Sequence, residues 1–244
     1  MRNIVIKISY LGTNYSGWQV QPNAESISEM IINAIYKITK TKVNLYGSGR
    51  TDAGVHAYGQ VANFYTESNI AVEKFPSAIN AFLPKDIVII DAWEEVHNFN
   101  SRFNAKSKTY EYKVLNSNVQ SPFWVDRAWQ VGYELDLELM KKATEILIGE
   151  HDFRSFMASG SSVKDTVRTI YSLDISKTDE LITFRVSGSG FLYNMVRIMV
   201  GLLISVGRGK VPLSKVKEIL EVKDRTKGEI TAPSCGLYLV KVEY

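Results

Sequence analysis

An aspartate two residues from an arginine, in a run rich in glycine, is the first chemistry this chain offers. The stretch reads Gly47-Ser48-Gly49-Arg50-Thr51-Asp52-Ala53-Gly54-Val55-His56-Ala57 and holds almost nothing that could pack a core. Glycine opens backbone conformations closed to other residues and lets another molecule approach the chain closely. An apolar run (Val43, Leu45, Tyr46) precedes it and an alternating run (Val61 to Tyr65) follows. Polar loops held between strands are where functional groups collect. The same composition suits a solvated glycine-rich turn with an incidental ion pair, so the loop alone leaves both readings open.

Other chemistries fall away one by one. Three histidines and a single cysteine, Cys235, lie far apart and give no zinc-like spacing. Gly209-Lys210 lacks the earlier glycine and the following Ser or Thr of a phosphate-binding loop. Gly47-Ser48-Gly49 meets Asp52 where a dinucleotide-binding loop needs its third glycine. No serine sits in a nucleophile elbow, and Cys235 has no paired histidine to activate it, which fits packing better than attack. Carboxylates working without metal or cofactor remain, and Asp52 has the most informative surroundings.

Two further clues lie elsewhere. Arg197 sits among Phe191, Leu192, Met195, Val196, Ile198, Met199, Leu202 and Leu203. A guanidinium cannot shed its charge, so burial there requires a partner. A catalytic aspartate in a dry pocket needs a cation to stay ionised. Asp52 and Arg197 answer each other's requirement. Tyr110 stands beside Arg102, Lys106, Lys108 and Lys113, opposed only by Glu111. Aromatic faces interleaved with cations hold unpaired bases, although an ordinary Tyr/Val strand with lysines on its wet face has the same composition.

The elements that must position these residues follow from periodicity. Alternation at Ile4, Ile6 and Ile8 predicts an opening strand. A polar aromatic loop over residues 10–22 leads to a helix capped by Ser26, with Glu29 completing a capping box and an apolar stripe from Ile27 to Ile38. A short helix is expected over 75–82, and a well-buried strand over 87–93. An alternating strand over 109–114 carries Tyr110, and a helix over 137–147 ends at Gly149. Residues 151–156 read as compact and irregular, and 157–164 as a Ser/Gly loop. A hairpin over 166–186, the Arg197 helix, a helix over 213–220 and a strand over 237–242 follow. Strands broken by a few helices indicate α+β.

The net charge of +3 permits a nucleic-acid partner without arguing for one. One cysteine rules out an internal disulfide and suits a reducing compartment. No secretory signal is visible, and the apolar segment 191–206 is too short, and too interrupted by Asn194 and Arg197, to span a membrane. The expectation is a cytoplasmic protein.

Seven segments in order resemble the tRNA pseudouridine synthase A family. They are Gly12-Thr13-x-Tyr15-x-Gly17-Trp18-Gln19, the Gly49–Ala57 run, Ser101-Arg102-Phe103-x-Ala105, Tyr110-x-Tyr112, His151-Asp152-Phe153, Gly188-x-Gly190-Phe191-Leu192-Tyr193-x-Met195-Val196-Arg197 and Ala232-Pro233-x-x-Gly236-Leu237-Tyr238-Leu239. The resemblance implies an isomerase that turns uridines 38, 39 and 40 of the tRNA anticodon arm into pseudouridine, as a homodimer without cofactor or metal. It implies a pseudouridine synthase fold: two similar α+β halves around a central mixed, largely antiparallel sheet with a basic cleft. The halves would span 1–105, with the Asp52 loop, and 106–244, with the Tyr110 strand and Arg197 helix.

By the same motif match, Asp52 is the catalytic nucleophile, Tyr110 contacts the base, and Arg197 pairs with the aspartate. Arg50 helps displace or hold the flipped nucleotide, Leu237 lines the pocket, and Gly54 and Lys108 are further substrate-binding positions. Two departures from the family pattern, Ser26-Ile27-Ser28 and Lys108 in place of an arginine, bear on RNA contacts rather than chemistry. Whether Asp52 attacks the sugar or the ring, or abstracts a sugar proton, stays open. A non-catalytic RNA-binding or RNA-folding protein and a carboxylate-dependent glycosidase are the competing readings. The glycosidase would need a second acid near Asp52, and no neighbouring residue in the sequence supplies one.

Overall fold

Alternating isoleucine and valine produce β1 (Arg2–Tyr10), the central strand of one of two units. A computed structural model describes residues 1–160 and 163–244; the Ser/Gly loop expected over 157–164 includes positions outside the described residues. The first unit comprises Met1–Lys106 with Tyr238–Tyr244, and the second Ser107–Leu237. The closing strand therefore joins the first unit, whereas the sequence reading kept 106–244 together.

In the first unit β1 pairs antiparallel with β3 (His56–Thr66) on one side and β4 (Ile87–Glu95) on the other. The two-residue β2 (Tyr46–Gly47) pairs antiparallel with β3, and β10 (Leu237–Glu243) lies parallel to it, with Tyr238 opposite His56. Helix α1 (Ile27–Thr39) is capped by Ser26, whose hydroxyl accepts the Glu29 N–H at 3.4 Å, and buries Ile27, Ile31, Ala34 and Ile35. Helix α2 (Phe75–Asn80) carries Pro76 in its first turn and sets Phe75 edge-on to Phe64 of β3, centroids 5.8 Å apart. The Asn80 side chain ties α2 to β4 by bonding both the N–H and C=O of Ile89.

β4 corrects the expectation of a well-buried strand. It ends the strand order of its unit, and Val88 and Ile90 are 42% and 49% exposed. A continuous apolar run cannot show which face is covered; here Ile87 and Ile89 face the core while Val88 and Ile90, on the opposite face, meet solvent.

The second unit orders β5 (Ser107–Leu115), β9 (Leu181–Gly188), β8 (Val167–Thr178) and β7 (Gly149–Asp152) antiparallel, with the short β6 (Trp129–Gln130) parallel on β5. Helix α3 (Leu137–Leu147) is capped by Asp136, which accepts the Leu139 N–H at 2.8 Å. Helix α4 (Met195–Gly207) is buried at every position except Arg197, and α5 (Leu213–Val222) follows. Residues 151–156 are more ordered than expected. His151 and Asp152 pair with Arg168 and Val167, and a single 3₁₀ turn covers Arg154–Phe156. Four residues are too few to display a strand period, so only the pairing partner reveals β7.

The fold is thus α+β with mixed, largely antiparallel pairing. Among the described residues no helix is long and apolar enough to cross a membrane.

Candidate active site

The Asp52 loop is pinned to its sheet by buried polar side chains. The Ser48 N–H bonds Val61 O at 2.8 Å, and the Ser48 hydroxyl donates to Gln60 Oε1 at 2.6 Å. Gln60 Nε2 in turn donates to Gly49 O at 2.9 Å. Thr51 Oγ1 is 2.8 Å from the Tyr10 hydroxyl, and Thr51 O accepts the Trp18 N–H at 3.0 Å. Ser48, Thr51 and Gln60 are buried, while Arg50 is exposed and Asp52 half-buried. Anchors at 48, 49 and 51 fix the backbone that carries Arg50 and Asp52. Burial drives the Tyr10 hydroxyl pKa well above its ordinary value against the hydrogen bonds to Thr51 and Gln60, so it stays a neutral anchor.

The turn itself closes with the Val55 N–H on Asp52 O at 3.1 Å. Gly54 stands in its third position with φ +76°, the left-handed site that turns of type II give to glycine. The 10–19 loop braces this turn from the other side. The Gly12 N–H donates to His56 Nδ1 at 3.0 Å, and a Cβ on Gly12 would lie 2.0 Å from Val55 O. Gly17, at φ +91°, also has little room: its Cβ would lie 2.7 Å from Thr51 O. The N–H groups of Ile27 and Ser28 bond Gly17 O and Trp18 O at 3.1 Å, so the brace is docked on the start of α1. Ser28, part of one departure from the family pattern, adds its hydroxyl to Trp18 O. His56 is fully buried beside the Tyr238 ring, centroids 4.7 Å apart, and is structural.

The second unit holds the other expected residues. Tyr110 lies on β5 opposite Val186, 8% exposed, with Phe191 edge-on at 5.1 Å. Lys108 is half-buried opposite Gly188 on the same strand pair, and Leu237, 7% exposed, opens β10. Arg197 is half-buried rather than enclosed, and within its own unit it bonds a carbonyl and an amide. Nε donates to Ala232 O and Nη1 to Asn194 Oδ1, both at 2.7 Å. Asn194 reaches it from a left-handed N-cap at φ 59°, a conformation asparagine tolerates better than most residues. Tyr112, to which the sequence assigned no role beyond the Tyr110-x-Tyr112 segment, is fully buried and donates to Pro233 O at 2.7 Å. Cys235 is half-buried with its thiol pKa raised chiefly by burial, which suits packing.

The His151-Asp152-Phe153 segment is a tie rather than a site. Partial burial works against the Asp152 charge. Hydrogen bonds from Thr166 Oγ1, the Arg154 N–H and Lys223, with the Arg154 charge, outweigh it and hold the carboxyl below its usual range. Stability from a depressed carboxylate is present above its unfolded pKa and lost as pH falls through the folded value. The melting-temperature gap between the wild type and Asp152→Asn is therefore expected to shrink as melts are moved from pH 7 to below about pH 4. A gap that is constant or grows on acidification would contradict this.

A family model described as tRNA pseudouridine synthase matches residues 6–104 and 143–244. The chain belongs to this family. A tRNA pseudouridine synthase A from Thermoanaerobacter sp. (strain X514) is 50% identical over all 244 residues and the whole of that protein. Its counterparts from Acetivibrio thermocellus and Ruminiclostridium cellulolyticum are 46% and 48% identical, again over the full length of both chains. Among solved structures, a Cbf5-Nop10-Gar1 complex is similar at a TM-score of 0.38 and 15% identity, covering 96% of this chain and 57% of that one. The pseudouridine synthase family model takes in the Asp52 loop and the Arg197 helix but omits residues 105–142, where Tyr110 stands.

Proposed function

We propose that this chain isomerises uridine to pseudouridine at positions 38, 39 and 40 in the anticodon arm of tRNA, as a cytoplasmic homodimer, with Asp52 as nucleophile and no cofactor. Membership of the tRNA pseudouridine synthase family supports an isomerase acting on tRNA. The observation that supports the residue assignment is the Asp52 turn, a half-buried carboxylate on a backbone held in place by the Ser48, Gly49, Thr51 and Val55 hydrogen bonds.

The reaction breaks the bond between uracil N1 and ribose C1′, turns the base, joins C5 to C1′, and moves a proton from C5 to N1. Atoms and electrons balance within the nucleotide, so no oxidant or co-substrate is required. A carboxylate can capture or stabilise the electron-poor carbon while the base is detached. Asp52 takes that role and Arg197 is the cation that keeps it ionised. Tyr110 contacts the base, Leu237 lines its pocket, and Arg50, Gly54 and Lys108 handle the nucleotide and its phosphates. A flipped nucleotide costs a few kcal/mol, reduced where a loop is already unstacked.

Tritium release from C5-labelled uridine in unmodified tRNA tests the reading. Release at the three positions, located by mapping, is the expected result, and tight binding with no release would instead indicate a non-catalytic RNA-binding protein. Arg197→Lys is a second test. An ammonium cannot serve Ala232 O and Asn194 Oδ1 together as Nε and Nη1 do. Losing one charge-assisted hydrogen bond predicts a fall in kcat of about 10- to 100-fold. Single-turnover rates within twofold of wild type would remove Arg197 from the machinery.

A further inference from the structure

Residues 96–106 of the first unit are rooted in buried polar contacts, yet they carry outward two large side chains. Phe103 is 79% exposed and Arg102 is exposed beside it, its guanidinium carbon 5.6 Å from the Phe103 ring centroid. A single exposed phenylalanine is unremarkable; the scaffold beneath this one makes it informative. Asn63 Oδ1 accepts the Ser101 N–H at 2.9 Å, and Asn3 Nδ2 donates to Val96 O and Phe99 O at 3.0 and 2.9 Å. Asn100 Oδ1 accepts the N–H groups of both Arg102 and Phe103, at 2.9 and 3.3 Å, and Asn104 Oδ1 accepts the Asn100 N–H at 2.8 Å. The backbone presenting the pair is thus fixed before any ligand arrives, which lowers the entropy cost of using it.

The same scaffold reaches the Asp52 loop. Tyr244 packs its ring on Phe99, centroids 5.0 Å apart, and its hydroxyl donates to Ser101 O at 2.9 Å while also facing Ser48. Ser48 stands two residues before Arg50, so one tyrosine links the Arg102–Phe103 turn to the loop of the nucleophile. Segment 96–106 contains His97, Arg102 and Lys106 and no acidic residue, a charge suited to phosphate. An exposed ring with a guanidinium against it is the combination that holds an unpaired base by stacking and its phosphate by charge.

We propose that Arg102 and Phe103 form a stacking platform for an unpaired nucleotide of the RNA substrate, distinct from the nucleotide that reacts at Asp52. This rests on the assignment of an RNA substrate above. The ring stacks on the base, the guanidinium contacts the adjoining phosphate, and the pair helps set which nucleotide reaches the aspartate.

The test is fluorescence anisotropy of a labelled, unmodified tRNA transcript with the full chain and its variants, each also checked by thermal melting and sedimentation. Phe103→Ala is expected to raise Kd about tenfold without lowering the melting temperature, and Phe103→Trp to retain wild-type affinity. Arg102→Ala is expected to reduce the slope of log K against log salt by about one. Wild-type affinity in Phe103→Ala overturns the proposal. So does Phe103→Leu binding as tightly as wild type, because the ring is then not stacking. A change of oligomeric state in Phe103→Ala with unchanged Kd also overturns it and makes the ring a contact between copies. Tritium release by the wild type, measured alongside, separates the two readings. Release with unaltered binding by Phe103→Ala sinks only the platform; no release with weakened variant binding sinks only the isomerase.

Discussion

Asp52→Asn is expected to lose turnover by at least about 10³-fold in kcat while RNA binding is unchanged or slightly tighter. The substitution keeps shape and size, and the bond that closes the turn, from the Val55 N–H to the main-chain oxygen of Asp52, is retained. An amide can neither attack an electron-poor carbon nor accept a proton in the relevant range. The half-buried side chain also carries a negative charge that opposes phosphates, so removing it cannot weaken electrostatic attraction to RNA. Tritium release read beside anisotropy separates the two effects. Near-normal turnover in this variant would show that another group does the chemistry, and lost binding would show that Asp52 serves the fold.

Gly12→Ala is expected to be the most damaging single methyl group in the first unit. Its Cβ would sit 2.0 Å from Val55 O and 2.7 Å from the carbonyl carbon, both backbone atoms. A flexible side chain could swing away; a peptide group at the end of the Asp52 turn cannot. Either Gly12 retreats, losing its N–H bond to His56 Nδ1, or Val55 moves and takes the aspartate with it. Overpacking of this kind costs about 3 kcal/mol, which for a chain of this size is a fall in melting temperature of roughly 10 °C. Activity at a temperature where the variant remains folded is expected to fall further than RNA affinity, because the side chains proposed to contact RNA are less displaced than the turn. A variant that melts and turns over like the wild type would show that the brace does not position the loop.

What the sequence displayed plainly were features carried by local pattern. The Ser26 cap, the alternation of β1, the stripe of α1 and the apolar run of α4 each repeat within a few residues, and each became the element expected. The Asp52 loop was legible for the opposite reason, since a dense set of glycines with one carboxylate has no packing purpose. The anchors beneath it were not. Gln60 and Tyr10 lie on strands, where a buried polar residue and a solvent-facing one follow the same alternation, and only Ser48, Gly49 and Thr51 reveal what they hold. Sequence shows the Arg197 charge but not the carbonyls it meets; Ala232 O becomes one of its acceptors only once residues far along the chain are brought back. The exposure of β4 and the pairing of β7 are likewise properties of neighbours, not of the segments themselves.

The division of the chain fixes an order of assembly. Residues 107–237 form one uninterrupted unit, but the first unit is split and takes its parallel strand from residues made after the whole of the second. During synthesis the usual rule, that the N-terminal body folds first, is inverted for part of this protein. The edge of β3 at His56 and Ala57, directly after the Asp52 turn, waits for Tyr238 and Leu239. The Asp52 loop is therefore among the last parts to be locked, and a nascent chain emerges from the ribosome, among RNA of every kind, with that loop unfinished.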